Sequence, residues 1–306
     1  MLGRVAELHY KHGFTHQEVA DLLGFSRVQV TRMLARARAE GIVEITVHSD
    51  EPIFPEEQQA LMSLFGLEHA SVAPTFPDKS DTLKSIGTVG ATYLRSVLRS
   101  GMTVAVGISG TLAEIATQLK TDPMSVLFVP AIGSRPAGSE GVNPHRVAEL
   151  FAEAVGGTNV HLPAPMFTSS AQSAQTIASE PQIEHALETA RAASLGLFGL
   201  GGTQPGTGIV ADEFANEPAL EQLFERGVVG DISAAFFDAK GRSIDSEISH
   251  RIVGLSFDEI MAIPHRVAFA GGPDKVDSIA GALAGGIITA LITDQETAVA
   301  LLASRS

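Results

Sequence analysis

The first fifty residues constrain this chain most, because every joint of a helix-turn-helix is spelled out in them. His16–Leu23 (HQEVADLL) places Val19, Ala20, Leu22 and Leu23 on one face at helical spacing, with Thr15 in front as an N-cap. Gly24-Phe25 supplies a sharp turn, and Ser26 is the N-cap of a second helix, Arg27–Glu40, in which Val30, Met33, Leu34 and Ala37 face inward. Gly41 ends that helix, and Ile42–Val47 alternates as a short strand, giving the unit a wing. The second helix exposes Arg27, Gln29, Thr31, Arg32, Arg36 and Arg38, the composition of a recognition helix laid in a DNA major groove. The arrangement assigns Gln17, Ser26, Arg27, Gln29, Val30, Arg32 and Arg36 to DNA contact. Two amphipathic helices joined by glycine also serve as plain packing units. Both caps in place, a short first helix and an arginine-rich second one favour DNA.

A DNA-binding module needs far fewer than 306 residues, so the chain divides into a helix-turn-helix domain over 1–50 and a larger domain over 51–306. The boundary falls near His48–Glu57, where two prolines and four acids interrupt the pattern, and Pro55–Phe65 follows as a helix. Apolar residues make up 44% and charged ones 18%, enough to fill a sizeable core. The formal charge of −14 argues against DNA binding until it is mapped along the chain. Residues 1–50 hold six basic and six acidic side chains; the rest hold 15 basic and 29 acidic, which is the whole excess. An acidic body behind a locally basic helix suppresses non-specific binding and leaves contact to one face. Fifteen Phe, two Tyr and no Trp give little sign of stacking platforms for single strands. There is no Cys, hence neither disulfide nor thiolate chemistry, and the ten His do not cluster at metal-ligand spacing, so neither a metal nor another cofactor is expected. With no run of eighteen apolar residues and no charged-then-apolar N-terminus, the expectation is a cytoplasmic protein without a membrane partner.

Beyond residue 57, apolar runs recur with glycine at or near their ends: Val104–Val106, Val126–Ile132, Leu195–Leu200 and Val267–Ala270. Ile232–Phe237 and Ile287–Thr293 are further runs. Helical stretches alternate with them: Ser85–Arg99, Leu112–Leu119, Val147–Val155, Ile183–Ala193 and Val276–Leu283. Short buried strands alternating with amphipathic helices predict an α/β domain, Rossmann-like, with a mostly parallel sheet covered on both faces. Ligands of such sheets bind outside the carboxyl ends of the strands, where these glycines lie.

Four features there could carry chemistry. Gly107-Ile108-Ser109-Gly110-Thr111 joins a strand to a helix beginning near Leu112, and offers backbone N–H groups and a helix dipole to a phosphate. It lacks the Lys of a Walker loop and the third Gly of a dinucleotide fingerprint; the alternative is an ordinary capped turn. Ile132–Gly141 is a second glycine loop, with Gly133 and Arg135, followed by Asn143; it is equally readable as a surface loop. Gly230-Asp231 opens the next apolar strand, and its carboxylate is either a turn residue or an acceptor for sugar hydroxyls. Lys275, in the first turn of the helix after Gly271-Gly272-Pro273-Asp274, opposes the helix dipole, a conflict that a bound anion relieves. His145, His161, His185, His250 and His265 are scattered and read as packing or surface residues.

These residues resemble the SorC family of sugar-responsive bacterial transcription regulators over nearly the whole chain. The resemblance rests on GFTHQEVADLLGFSRVQVTRMLARARAEGIVEI at 13–45, VAVGISGTLAEIA at 104–116 and HLPAPMF at 161–167. GVVGDISAAFFDAKGR at 227–242 and AGGPDKVDSIAGALAGGIITALITDQETAVALL at 270–302 are its specific blocks. It implies an effector domain like sugar-phosphate isomerases and deaminases, without catalysis, that binds a phosphorylated sugar or sugar-alcohol effector, and a homo-oligomer, dimer or tetramer. By the resemblance, Ser109, Gly110 and Thr111 hold phosphate, while Asn143, Asp231 and Lys275 contact the sugar end; Gly107 and Gly133, glycines of the two loops, complete the expected ligand-binding set. Many members carry Gly-x-Gly-Arg-Thr where this chain has Gly107–Thr111, so an arginine is replaced by Gly110.

Two other classes compete with a regulator of operator DNA. One is an isomerase- or deaminase-like enzyme tethered by its DNA module, which needs a general base; Asp231 is the sole candidate, with no acid partner evident. The other is a constitutive DNA-binding protein that has lost its ligand.

Overall fold

The structure, a computed structural model, describes residues 1–43, 53–135, 142–203, 214 and 218–304. The chain forms two compact units, Met1–Glu51 and Pro52–Ser306.

In the first unit, helix α1 (Leu2–Ala6) runs on into a π-helical turn at Glu7–Lys11, followed by α2 (His16–Leu23) and α3 (Arg27–Ala39). Both latter helices begin with reciprocal capping boxes. Thr15 Oγ1 accepts from the Glu18 N–H while Glu18 accepts from the Thr15 N–H, and Ser26 and Gln29 repeat the exchange. Such a cap contributes about 1 kcal/mol and fixes where each helix starts. Gly24 closes α2 at φ +72°, a left-handed turn that Gly adopts without steric cost. Val5, Ala6, Val19, Ala20, Val30, Leu34 and Ala37 form the core. Ile42 and Val43 are in no strand, and the remainder of the expected wing, Glu44–Val47, lies outside the described residues.

The second unit is an α/β body that opens with helix α4 (Pro55–Phe65) and carries helix α5 (Lys79–Val97) after its first strand. Its strands are β1 (His69–Ala73), β2 (Thr103–Val106), β3 (Leu127–Pro130), β4 (Thr158–Asn159) and β5 (Leu195–Phe198), with β9 (His265–Phe269) and β10 (Ala290–Asp294). They make one seven-stranded sheet in the order β1-β10-β9-β5-β2-β3-β4, parallel at every pairing. The expected mostly parallel sheet is therefore present. Its strands read as continuous apolar runs because both faces are covered. Ala105, Ala268 and Leu291 pack on one side with Leu61, Ile183, Ile279 and Leu301 from helices. Their neighbours Val104, Val106, Val267, Phe269, Ala290 and Ile292 pack on the other with Ile86, Leu94, Ile115 and Phe151.

A second, antiparallel sheet follows the order β6 (Leu200–Gly201), β7 (Val228–Ile232), β8 (Ala235–Asp238). The run Ile232–Phe237, expected as one strand, is a hairpin. Ser233 and Ala234 turn the chain at φ +50° and +65°, and Ile232 pairs with Ala235. Two-residue turns with both φ positive usually carry Asn-Gly, so Ser-Ala gave the sequence no turn signal. Gly230-Asp231 consequently lies within β7 rather than opening a strand. Among the described residues, no helix is long and apolar enough to cross a membrane.

Candidate effector crevice and DNA-contact helix

The sequence-derived ligand residues lie at the carboxyl edge of the parallel sheet. Beyond β2, the Ser109 side chain accepts from the Leu112 N–H at 3.0 Å, capping helix α6 (Gly110–Gln118), which starts two residues earlier than the sequence suggested. Ser109 is thus engaged as a cap. Gly110, the first helical residue, has open space where a side chain would project.

The β7–β8 hairpin is packed directly against this loop. A Cβ on Gly107 would stand 2.6 Å from Ser233 Oγ, so only glycine permits the approach. Asp231 lies over Gly201, where a Cβ would meet its carboxylate at 1.9 Å, and it accepts a hydrogen bond from the Ala234 N–H at 2.9 Å. Burial pushes the Asp231 carboxyl above its ordinary range, opposed by that N–H and by the positive charge of Lys275. Lys275 ends a 3-10 turn (Pro273–Lys275) and is the N-cap of the helix Val276–Ala284, rather than a residue of its first turn. The structure therefore groups Gly107, the hairpin, Asp231 and Lys275.

Gly133 belongs to a neighbouring part of the same edge. Its N–H donates to the Val253 carbonyl, and a Cβ there would lie 2.5 Å from the Pro165 carbonyl. Ser134, Arg135 and the Pro163–Phe167 segment line a cavity of about 460 Å³ beside it. Asn143 is engaged as an N-cap, its side chain accepting from the His145 N–H at 3.1 Å; among the described residues, no hydrogen bond joins it to Asp231.

Two residues that sequence reasoning missed belong here. Ser233 is only 6% exposed and its hydroxyl finds no hydrogen-bond partner among the described residues, an orphan donor beside the Gly107 loop. Asp294, 1% exposed, accepts from Thr75 Oγ1, Gly272 N–H, Thr297 N–H and Thr297 Oγ1 at 2.7–3.1 Å. It holds the Gly271–Gly272 turn that leads to Lys275, and Asp followed three residues later by Thr at a helix start was the available signal. Asp294→Ala is expected to lower stability by at least about 3 kcal/mol, since several buried donors lose a charged acceptor together. A denaturation midpoint equal to the parent's would contradict this role.

In the DNA unit the structure corrects one assignment. Val30 is 0% exposed, inside the core, and so anchors α3 instead of touching DNA. Gln17, Ser26, Arg27, Gln29, Arg32 and Arg36 are all exposed. Ser26 and Gln29 satisfy each other, Gln17 donates to Asp21 at 2.8 Å, and Arg36 pairs with Glu40. Thr31 donates to the Arg27 carbonyl at 3.0 Å and meets His16 Nδ1 at 3.0 Å, tying α3 to α2.

A capped helix-turn-helix joined to an α/β body with a polar crevice at its strand ends defines a ligand-responsive transcription regulator. The family model "Putative sugar-binding domain" matches residues 55–303, and a Crp-like helix-turn-helix domain matches residues 3–67. The transcriptional regulator LsrR of Escherichia coli is 31% identical over 99% of this chain and 94% of its own length. The erythritol catabolism regulatory protein EryD of Brucella abortus is 28% identical over 98% of this chain and 95% of its own. The full-length sorbitol operon regulator SorC from Klebsiella pneumoniae superimposes with a TM-score of 0.78 at 25% identity, covering 98% of this chain and 97% of that one. The chain belongs to the SorC family of sugar-responsive transcription regulators.

Proposed function

We propose that this regulator senses a phosphorylated sugar or sugar alcohol, bound where the Gly107–Thr111 turn, Asp231 and Lys275 converge, and that occupancy sets its affinity for operator DNA. The observation that carries this reading is the packing of the β7–β8 hairpin on the β2–α6 loop. It sets a buried carboxylate and a nearby lysine beside a helix start whose first residue, Gly110, leaves open space. The α6 N–H groups and Lys275 suit a phosphate, and Asp231 suits sugar hydroxyls. Two relatives are named for sorbitol and for erythritol catabolism, which supports a sugar-alcohol skeleton.

In this reading residues 1–50 contact DNA and residues 51–306 bind effector and assemble a homo-oligomer, since one helix-turn-helix offers too little surface for tight operator binding. The protein is a cytoplasmic sensor rather than a catalyst: Asp231 serves as acceptor, and isomerisation would require an acid partner for it. A thermal-shift series tests the proposal. The cognate sugar phosphate at a hundredfold excess over its dissociation constant stabilises the protein by roughly 2.7 kcal/mol, and the free sugar much less. Equal shifts from both would overturn the phosphate assignment.

Gly110→Arg gives a second measure. Its helical backbone and open surroundings accept a side chain, at a dipole cost of a few tenths of a kcal/mol. The added guanidinium is expected to tighten sugar-phosphate binding about tenfold and to leave binding of the free sugar unchanged. Calorimetric titration that found no gain for the phosphorylated ligand would place its phosphate elsewhere.

A further inference from the structure

The outward face of α3 is unusual for a surface helix. At 100° per residue, the direction opposite the buried Val30, Leu34 and Ala37 is occupied by Val28, Arg32, Ala35, Arg36 and Ala39. Val28 is 61% exposed at the second position of the helix, one residue after Arg27 and about one turn before Arg32. Nothing about folding favours it there: a β-branched side chain is a poor helix former, and this one buries little surface in its own unit.

The polar side chains around it are largely engaged. Ser26 and Gln29 close the capping box, Thr31 bonds to the Arg27 carbonyl and His16, and Arg36 pairs with Glu40. The front of α3 therefore presents an exposed apolar side chain, with Arg27 next to it in sequence and Arg32 one turn further along the same face. Small residues at positions 35 and 39 along the same line let the helix axis come close to whatever it lies against. Guanidinium groups complement phosphates and guanine edges. The one apolar group on the floor of a major groove is the C5-methyl of thymine.

We infer that Val28, at the front of α3, packs on a thymine methyl in the operator and is a sequence-discriminating contact of this regulator. The inference rests on α3 being the helix that enters the groove. Val30, two residues on, cannot make such a contact because it is inside the core.

The test uses the full chain and a duplex selected by it from a random library. Each thymine is replaced in turn by deoxyuridine, which removes only the methyl. At one thymine the parent should lose affinity by roughly three- to tenfold, the value of one apolar group removed from water. Val28→Ala should lose a similar factor on the thymine duplex and show no difference between thymine and uracil at that position. Arg32→Ala, measured in parallel, should weaken binding to every duplex while keeping the thymine-over-uracil preference. If Arg32→Ala weakens binding but no position shows a methyl effect that Val28→Ala removes, the contact does not exist. If Arg27→Ala, Val28→Ala and Arg32→Ala all bind like the parent, α3 is not the recognition helix and the inference falls with that assignment. Val28 contributes no core contact, so the far-UV circular dichroism of Val28→Ala should match the parent's.

Discussion

Asp231→Asn is expected to make the unliganded protein more stable and to abolish its response to effector. The carboxyl is buried within the β7–β8 hairpin, and burial raises its pKa above the ordinary value; the Ala234 N–H and Lys275 offset that only in part. A group whose pKa is higher folded than unfolded contributes stability that is full below the unfolded value and lost as pH rises through the folded one. Above the ordinary carboxylate range Asp231 therefore works against the fold. Asn keeps an oxygen for the Ala234 N–H and removes the ionisable carboxyl. Each kcal/mol so gained raises the melting temperature of a body this size by about 2–4 °C. The same change deletes the charged acceptor for sugar hydroxyls, with an expected loss of effector affinity of roughly a hundredfold. Lys275→Met should lose effector equally but shift stability the other way, because it leaves the buried carboxylate without its compensating cation. Melting curves and calorimetric titrations of the two variants read both signs. The melting-temperature gap between Asp231→Asn and the parent should also narrow as pH falls below the carboxylate range. Parental effector affinity in Asp231→Asn would remove Asp231 from the site, and in Lys275→Met would remove Lys275; a less stable Asp231→Asn would mean that the buried carboxyl does not oppose folding.

The contrast between Asp231 and its own turn shows what a sequence carries and what it hides. The helix-turn-helix was legible because its information is local: Thr15, Ser26 and Gly24 each act within four residues of themselves. The parallel sheet was legible because strands covered on both faces become apolar throughout, as in Val104–Val106 and Val267–Phe269. The hairpin was hidden by the same rule, since Ile232–Phe237 is apolar on both sides of a turn built from Ser233 and Ala234, residues that seldom hold positive φ. That conformation costs about 1–3 kcal/mol per residue and persists only where tertiary contacts impose it, so no local pattern announces it. Ser233 and Asp294 were missed for the complementary reason. Their importance lies in partners distant along the chain, Gly107 for one and Thr75 and Gly272 for the other. Val30 shares the inward spacing of Met33, Leu34 and Ala37, and the structure upholds that position over its assignment to DNA contact. The α2–α3 packing buries Val30 and leaves Val28 outside.

That pair of valines supports the second large effect. Val30→Asp is expected to unfold the DNA-binding unit, whereas Val28→Asp leaves it folded, though both remove operator binding. An unpaired carboxylate at a fully buried position costs several kcal/mol. A unit of about fifty residues rarely has more than 3–5 kcal/mol to lose. At position 28 the same carboxylate stands in solvent, one residue after Arg27 and about one turn before Arg32, and acts only by repelling DNA phosphate and neutralising those cations. Operator titration alone cannot separate the two variants, because both fail. Limited trypsin digestion can: Arg27, Arg32, Arg36 and Arg38 become cleavable in Val30→Asp, while Val28→Asp keeps the parent's resistance. The body, Pro52–Ser306, has its own cores, so the surviving part of Val30→Asp should still show the effector-induced rise in melting temperature. Loss of that rise would mean that the effector crevice depends on the N-terminal unit. A trypsin-resistant Val30→Asp would mean that Val30 does not stand in the core of the helix-turn-helix.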